Sequence, residues 1–589
     1  MNKRGGTWLT GRVAIVATLA GLLLSGSVLA ATDNEIAMKD LVAQSTLSGS
    51  YLAAQIAGKD NDDENAVAFY ERSVALDPDN AELRQLLFLA LTANGRIGDA
   101  VSLARDLQVS DDNPGVIKLV MAIDALRQKS WSKVGEILKD APGGDLDILV
   151  EDLIKAWALF GQGEPDNAIA LANSGDGPDW VQVVRNYHAG LMAAAAGKDE
   201  EAEKFLQAST ENETAAAVLS ETFLRSMEAL VRVQTRLQKF DEAKATLKRS
   251  LELLPNHPPF KALETPVDEK KVTTPLLATA TDGGAEVLYN VGSAISRQGG
   301  AQFAQSYLQL ADHLNSKSDV ISLALASVFE NQKQHERANR YYERIGTDSP
   351  YHRRSQLEYA LNLNEIKKVD DSIAVLRKLI EEDRDDLQTY ITLGGVYSQH
   401  EKYREAADTY DAAEERIIKP ASFHWNLYYR RGIAHERLKE WDKAEPNFLK
   451  ALELSPNQAD VLNYLGYSWI DMGINLDKGM DLIRKAVDLK PRSGFIVDSL
   501  GWAYYRLGKY EDAVRELERA VELMPQDAVV NDHLGDAYWK VGRKLEATFQ
   551  WNHALTSEPE EADAEKIREK LAKGLIDPIP STADNGKDG

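Results

Sequence analysis

The sequence predicts an all-α solenoid of about 14 helix-turn-helix repeats in two superhelical halves. Three observations carry that prediction. Prolines at 456, 491, 525 and 559 recur at intervals of 35, 34 and 34 residues, each closing an amphipathic segment such as Ala-Leu-Glu-Leu-Ser-Pro456 or Ala-Val-Glu-Leu-Met-Pro525. A second helix-length segment precedes each of these, carrying glycine at 432, 466, 501 and 535, and the repeat before them carries Gly394. Small residues answer them on the closing segments, at Ala406, Ala444, Gly479, Ala513 and Ala547, and again two turns later at Ala413, Ala451, Ala486, Ala520 and Ala554. Small residues let two helices cross closely, and proline stops a helix because it lacks the N–H and clashes with the preceding turn.

Residues 1–30 are expected to be an export signal. Lys3, Arg4 and Arg12 flank a 12-residue apolar run, Val13–Leu24, too short for an ordinary membrane span, and Val28 and Ala30 suit cleavage before Ala31. The expected location is the periplasm; the alternative is an uncleaved inner-membrane anchor from Val13 to about Ala31. Residues 31–256 are expected to form the N-terminal superhelix. Ala54, Ala66, Tyr70 and Pro78 fit the repeat frame, as do Leu230, Ala243, Leu247 and Pro255, with four degenerate units between them.

Residues 257–284 read as a linker or ordered insertion, because five of the nineteen prolines fall between Pro255 and Pro275 and Thr-Ala-Thr-Asp-Gly-Gly284 follows. Residues 285–559 are expected to be the C-terminal superhelix. One extra residue sits in the turn Met472–Asp477, and Ile418–His424 lengthens an inter-repeat loop. Residues 560–574 form a charged capping helix with Ile567 and Leu571 on one side, and 575–589 a disordered tail.

Composition closes several function classes. The chain has 589 residues, no cysteine and a net charge of −24. Without a thiol there is no Cys nucleophile, disulfide framework, Cys-type zinc site or lipid-modified N-terminal cysteine, so no lipid anchor of that kind is expected. The acidic excess argues against nucleic acid, whose phosphates need clustered Lys and Arg. None of the ten histidines makes a His-Glu-x-x-His or Glu-x-x-His pair. Asp60-x-Asp62-x-Glu64 with Glu71 imitates a calcium loop, but Asn65 replaces the turn glycine and a repeat helix starts at once, so the acidic turn reads as a helix N-terminus. Gly190–Lys198 lacks both the spacing and the Ser or Thr of a phosphate loop. No cofactor, metal or catalytic residue is expected; the repeat frame leaves no room for a separate catalytic domain.

In such a stack the first helices line a concave groove where partners bind. The candidate groove residues are Tyr429, Asn463, Tyr467, Asp498, Trp502, Tyr505, Asp532, Asp536 and Trp539. Aromatic rings give contact area at low entropic cost, and Asn and Asp satisfy a peptide backbone or basic side chains. Trp469 and Trp551 fall at packing positions, whereas Trp502 and Trp539 do not. They either bind a partner or pack on a neighbouring first helix or a dimer mate. The expected partner is a neutral or basic peptide segment, since Asp at these places repels an acidic one.

A period of 34 built from helix pairs is the spacing of the tetratricopeptide repeat (TPR), and the chain resembles that family over residues 47–559. Asp498-Ser-Leu-Gly-Trp-Ala-Tyr-Tyr-Arg-Leu-Gly-Lys-Tyr-Glu-Asp-Ala513 and Asn531-Asp-His-Leu-Gly-Asp-Ala-Tyr-Trp-Lys-Val-Gly542 look like the C-terminal block of exported proteobacterial TPR proteins. That group includes lipoprotein adaptors of periplasmic C-terminal processing proteases, which bring cell-wall hydrolases to the protease. The resemblance implies a non-enzymatic periplasmic adaptor with such a protease and hydrolases as partners. This chain departs from the group in lacking the lipobox cysteine. A structural part of an envelope polysaccharide-export or secretion complex is the alternative.

Overall fold

The computed structural model describes residues 38–575 apart from 108–113, 140–143, 176, 212–218 and 298. The expected leader, residues 1–30, and the tail from 576 lie outside the described residues. Among the described residues the regular structure is helical. Fourteen first helices are each followed by a second, from Leu47–Lys59 and Asp63–Leu76 to Ala528–Lys540 and Lys544–Thr556, and a closing helix, Glu561–Lys573, comes last. No helix among the described residues is long and apolar enough to cross a membrane.

The repeat is recorded in the backbone. A residue between the two helices of each repeat has positive φ, at Asn61, Gly95, Lys129, Gly163, Gly197, Gln238, Gly299, Lys333, Lys367, Glu401, Lys439, Gly473, Gly508 and Gly542, and the turn after Gly473 adds a second at Asn475. Such a left-handed residue lets the chain fold back onto the end of the helix, as where the Glu440 N–H donates to the His435 carbonyl at 2.9 Å. The first fourteen stand 34 apart wherever nothing is inserted. The departures locate the insertions: seven residues before Gln238, 27 before Gly299, four before Lys439 and one before Gly508.

The chain forms two compact units, one ending at Lys367 and the other starting at Lys368. The sequence instead places the break in the proline-rich stretch 257–284, and the structure corrects this. Pro258 and Pro259 occupy the first helical turn, where a missing N–H costs nothing, and open the helix Pro258–Asp268. Phe260, Leu263 and Val267 from that helix share a core with Phe223, Met227, Val231, Ala243 and Leu247. Ala280–Arg297 is already the next first helix, so that array begins at 280 rather than 285.

In the first unit the chain fills its own inner face. Helix Ala280–Arg297 packs on the first helices Pro114–Arg127, Asp145–Gly161, Asp179–Ala195 and Ser220–Arg236. The approach is close enough that a Cβ on Gly283 would lie 2.1 Å from the buried Trp157 ring. Arg225 Nε and Nη2 donate to the two Glu286 oxygens at 2.6 and 2.8 Å, and the Tyr187 hydroxyl donates to Glu286 at 2.7 Å. Further on, Arg337 pairs with Asp63 at 2.9 Å and Gln334 donates to the Asn61 carbonyl at 2.5 Å, tying the eighth repeat back to the first.

The second unit follows the packing read from the small residues. Cβ atoms built on Gly466 and Gly479 would each fall within 3 Å of the other's carbonyl oxygen, so here two backbones touch. Ala406, Ala444, Ala513 and Ala547 are fully buried opposite such crossings. The closing helix buries Ile567 against Leu534, Tyr538 and Trp551, covering the end of the stack.

Candidate functional site

In the second unit the first helices Trp425–Arg437, Ala459–Asp471, Gly494–Arg506 and Ala528–Lys540 line one face. The groove positions do more than point outward from it. The fifth residue of each first helix reaches sideways to the sixth residue of the next. Tyr429 meets Tyr464 edge-on with ring centroids 6.1 Å apart. Asn463 Nδ2 donates to Ser499 Oγ at 3.1 Å. His533 Nδ1 donates to both Asp498 oxygens, at 3.0 and 3.1 Å. Burial works against a charged His533, but the Asp498 carboxylate, with Asp532 and Asp536 beyond it, outweighs that and raises the imidazole pKa.

Above this ladder lies a cavity of about 380 Å³ lined by residues of all four first helices and by Trp441. Asn463, Tyr467 and Asp498 are the expected groove residues on its wall, together with Glu436, Tyr464, Asp471, Ser499 and His533. Phe495 and Val529, the second residues of their helices, also line it and are 63% and 52% exposed. Burial, helped by the Asp471 and Asp498 charges, pushes the Tyr467 hydroxyl up to about 12.

The other expected groove residues have partners within the chain. Tyr429 belongs to the core beside Trp425 and Phe448, and burial pushes its hydroxyl up to about 12. Trp502 is stacked between Tyr505, at 4.6 Å, and His533, at 3.9 Å. Of the two readings of that tryptophan, packing on a neighbouring first helix is the one observed. Asp532 and Asp536 both bind Lys570 of the closing helix, at 2.7 and 2.8 Å, and Asp536 also accepts from Trp551 Nε1 at 2.9 Å. Trp539 packs on Trp551 and Gly574, with Lys544 Nζ 4.9 Å above its ring. Asp532, Asp536 and Trp539 of the last repeat are therefore taken up by the chain itself, while Val529 stays open on the cavity wall.

Sequence reasoning missed Trp441, Tyr464, Ser499, Val529 and His533. The repeat frame carried a usable signal for three of them: Tyr464, Ser499 and His533 each sit one place after a groove residue. The two motifs set aside at the sequence level are structural. Asp62 caps its helix by accepting from the Asn65 N–H at 3.3 Å, and Asp63 is the partner of Arg337. Gly190 lies within Asp179–Ala195, against Leu206.

Fold and inner face together define a helical-repeat solenoid whose second unit carries a cavity along its first helices. Family models of the tetratricopeptide repeat match residues 48–80 and 425–458, and a TPR repeat model matches 501–542. The fold is an all-α TPR solenoid, and TPR proteins bind protein partners. A TPR repeat-containing protein of Pseudomonas aeruginosa is 29% identical over 202 residues, covering 34% of this chain and 33% of that protein. A protein O-mannosyl-transferase of Homo sapiens is 24% identical over 238 residues, covering 39% of this chain and 26% of that protein. The chain thus spans about a quarter to a third of the length of these relatives. Among solved structures, a chain of the APC/C hetero-tetramer Cut9–Hcn1 aligns over 93% of this chain and 99% of its own, with a TM-score of 0.37 and 14% identity. MamA aligns over 28% of this chain and 94% of its own, with a TM-score of 0.26 and 22% identity.

Proposed function

We propose that this chain is a non-enzymatic scaffold that holds a protein segment against the first helices of its second unit. The observation that carries the reading is the cavity between Tyr464, Tyr467 and Phe495, where the Phe495 ring and Val529 stay exposed. Exposed apolar side chains grouped in a concavity are the usual mark of a contact surface. The leader at residues 1–30 supports action in the periplasm, and the C-terminal resemblance supports an adaptor role between a processing protease and cell-wall hydrolases. Photocrosslinking from Val529 in the full-length protein tests both levels. A crosslink to a periplasmic protease or wall hydrolase that Phe495→Glu abolishes is the expected result. A crosslink to polysaccharide-export or secretion machinery points to the structural alternative. Crosslinking that ignores Phe495→Glu removes the groove from the proposal.

A further inference from the structure

The repeat frame is broken most where 27 residues enter before Gly299, and those residues help to enclose a cavity of about 510 Å³ in the first unit. It follows the inner faces of the first helices Ala280–Arg297, Asp319–Asn331 and His352–Glu365. An unbroken array would leave that stretch an open groove. Here His257, at the start of the inserted helix Pro258–Asp268, closes one side, its ring edge-on to Phe260 at 4.6 Å and to Tyr351 at 6.4 Å. A walled space of this size suits a small molecule rather than a long segment. Its floor is apolar: Leu308 and Val320 are buried there beside Leu323 and Ala324. Its rim is charged. Arg354 and Glu358 line it from one helix, four residues apart, and neither forms a hydrogen bond or ion pair with a described residue. The other charged groups are engaged: Glu221 accepts from the Tyr289 hydroxyl at 2.7 Å, Glu330 accepts from Asn362 Nδ2 at 2.9 Å, and Arg297 donates to Ser220. Burial holds the His257 pKa below its ordinary value, so that ring adds no charge at neutral pH. One cation and one anion are left for an occupant.

We propose that this cavity binds a short zwitterion, a free dipeptide with an apolar side chain: its carboxylate pairs with Arg354, its ammonium with Glu358, and its side chain lies on the apolar floor. The proposal goes beyond the groove of the second unit and does not rest on it. A purely anionic molecule would face Glu221, Glu330 and Glu358, and a purely cationic one Arg297 and Arg354. A neutral molecule would leave both free charges unpaired. The Cβ atoms of residues four apart on a helix stand about 5–6 Å from each other, close to the span of an extended dipeptide at about 7 Å. In a single amino acid both charges sit on one carbon, too close together to meet both side chains as well.

The test titrates the full-length protein by calorimetry with free dipeptides of Ala, Val, Leu and Phe. Saturable binding of at least one of them at millimolar concentration is the expected result. Acetylating its amino group or amidating its carboxylate should weaken binding about tenfold, as should Arg354→Gln and Glu358→Gln. The pairing makes a sharper demand: the acetylated dipeptide should be indifferent to Glu358→Gln, and the amidated one to Arg354→Gln. Arg354 is exposed and Glu358 half-buried, so both variants should unfold like the wild type. Phe495→Glu, in the second unit, should leave dipeptide binding unchanged. The proposal is overturned if no dipeptide binds, if free and blocked forms bind equally, or if Phe495→Glu abolishes binding. None of these outcomes alters the crosslinking expected from Val529, so the two sites stand or fall separately.

Discussion

The contact that holds helix Ala280–Arg297 inside the first unit is the most severe point at which to perturb it. Glu286 is 4% exposed and accepts from Arg225 twice, at 2.6 and 2.8 Å, and from the Tyr187 hydroxyl at 2.7 Å. Glu286→Ala leaves a buried guanidinium without its bidentate partner, a change of about 3–5 kcal/mol. Glu228, 3.6 Å from Arg225, offsets part of this, while the orphaned Tyr187 hydroxyl adds about 1 kcal/mol, so the expected loss is about 4 kcal/mol. The double variant Arg225→Met, Glu286→Leu removes both charges and should lose far less, about 1 kcal/mol or nothing. A helical array need not unfold in one step, so the measurement is native-state hydrogen exchange on the amides of residues 280–297. Protection that falls equally in the single and double variants would show that packing, not the ion pair, seats the helix. The same pair sets an acid limit. Burial pushes the Glu286 carboxyl up, but Arg225 pulls it below its ordinary value. Its stabilisation is present above the ordinary carboxyl range and is lost as the pH falls through that lowered pKa.

Other expected outcomes are independent of that pair. Gly283→Ala drives a methyl into the Trp157 ring and should cost about 1–3 kcal/mol in thermal unfolding, whereas Gly346→Ala meets nothing within 4 Å and should change little. His533 has a raised pKa, so its pairing with Asp498 stabilises the second unit below about pH 6.5 and is lost as the pH climbs through the raised value. Trp502 fluorescence, isolated by comparison with Trp502→Phe, should show a transition above that pH, and Asp498→Asn should move it down; a wild-type transition at or below pH 6.5 contradicts the assignment. Lys570→Met leaves Asp532 and Asp536 facing each other without a cation, and faster exchange across Glu561–Lys573 is expected; unchanged exchange shows that Ile567 alone seats the helix.

The fold was legible because a repeat states its rule many times. Proline and small-residue spacing set the frame, and the fourteen left-handed turn residues keep the same register in the structure. Half of those turn residues are not glycine, so the turn is enforced by the helices on either side and leaves no consistent mark in composition. The proline-rich stretch left linker and ordered insertion both open for a physical reason: two prolines at a helix start are compatible with a helix, and only the apolar spacing of Phe260, Leu263 and Val267 shows that one forms. For the site, three of the expected groove residues, Asn463, Tyr467 and Asp498, line the cavity, but the frame could not tell which positions the chain uses itself. Trp502 depends on His533 one repeat later, and Asp532 on Lys570 in the closing helix. Such partners are set by stacking geometry between repeats, which a period does not encode.

That distinction decides how the groove must be probed. Trp502 is the residue the sequence singles out, yet its ring is held between Tyr505 and His533, so Trp502→Ala removes a stack of about 0.5–1.5 kcal/mol from the unit and uncovers the His533 ring. Any loss of binding it causes is confounded with loss of the Asp498–His533 link that shapes the cavity wall. Phe495 is the cleaner probe. It is 63% exposed at the second position of its helix, so Phe495→Glu sacrifices little buried area and unfolding should shift by no more than about 0.5 kcal/mol. A bound segment that covers the ring should nevertheless lose about 2 kcal/mol or more, roughly thirtyfold in Kd. Titration of a peptide taken from the crosslinked partner against wild type and both variants, with unfolding followed in parallel, separates the two behaviours. Equal binding losses with unfolding changed only in Trp502→Ala support a groove centred on Phe495. Wild-type binding in Phe495→Glu would place the partner on another face of the solenoid.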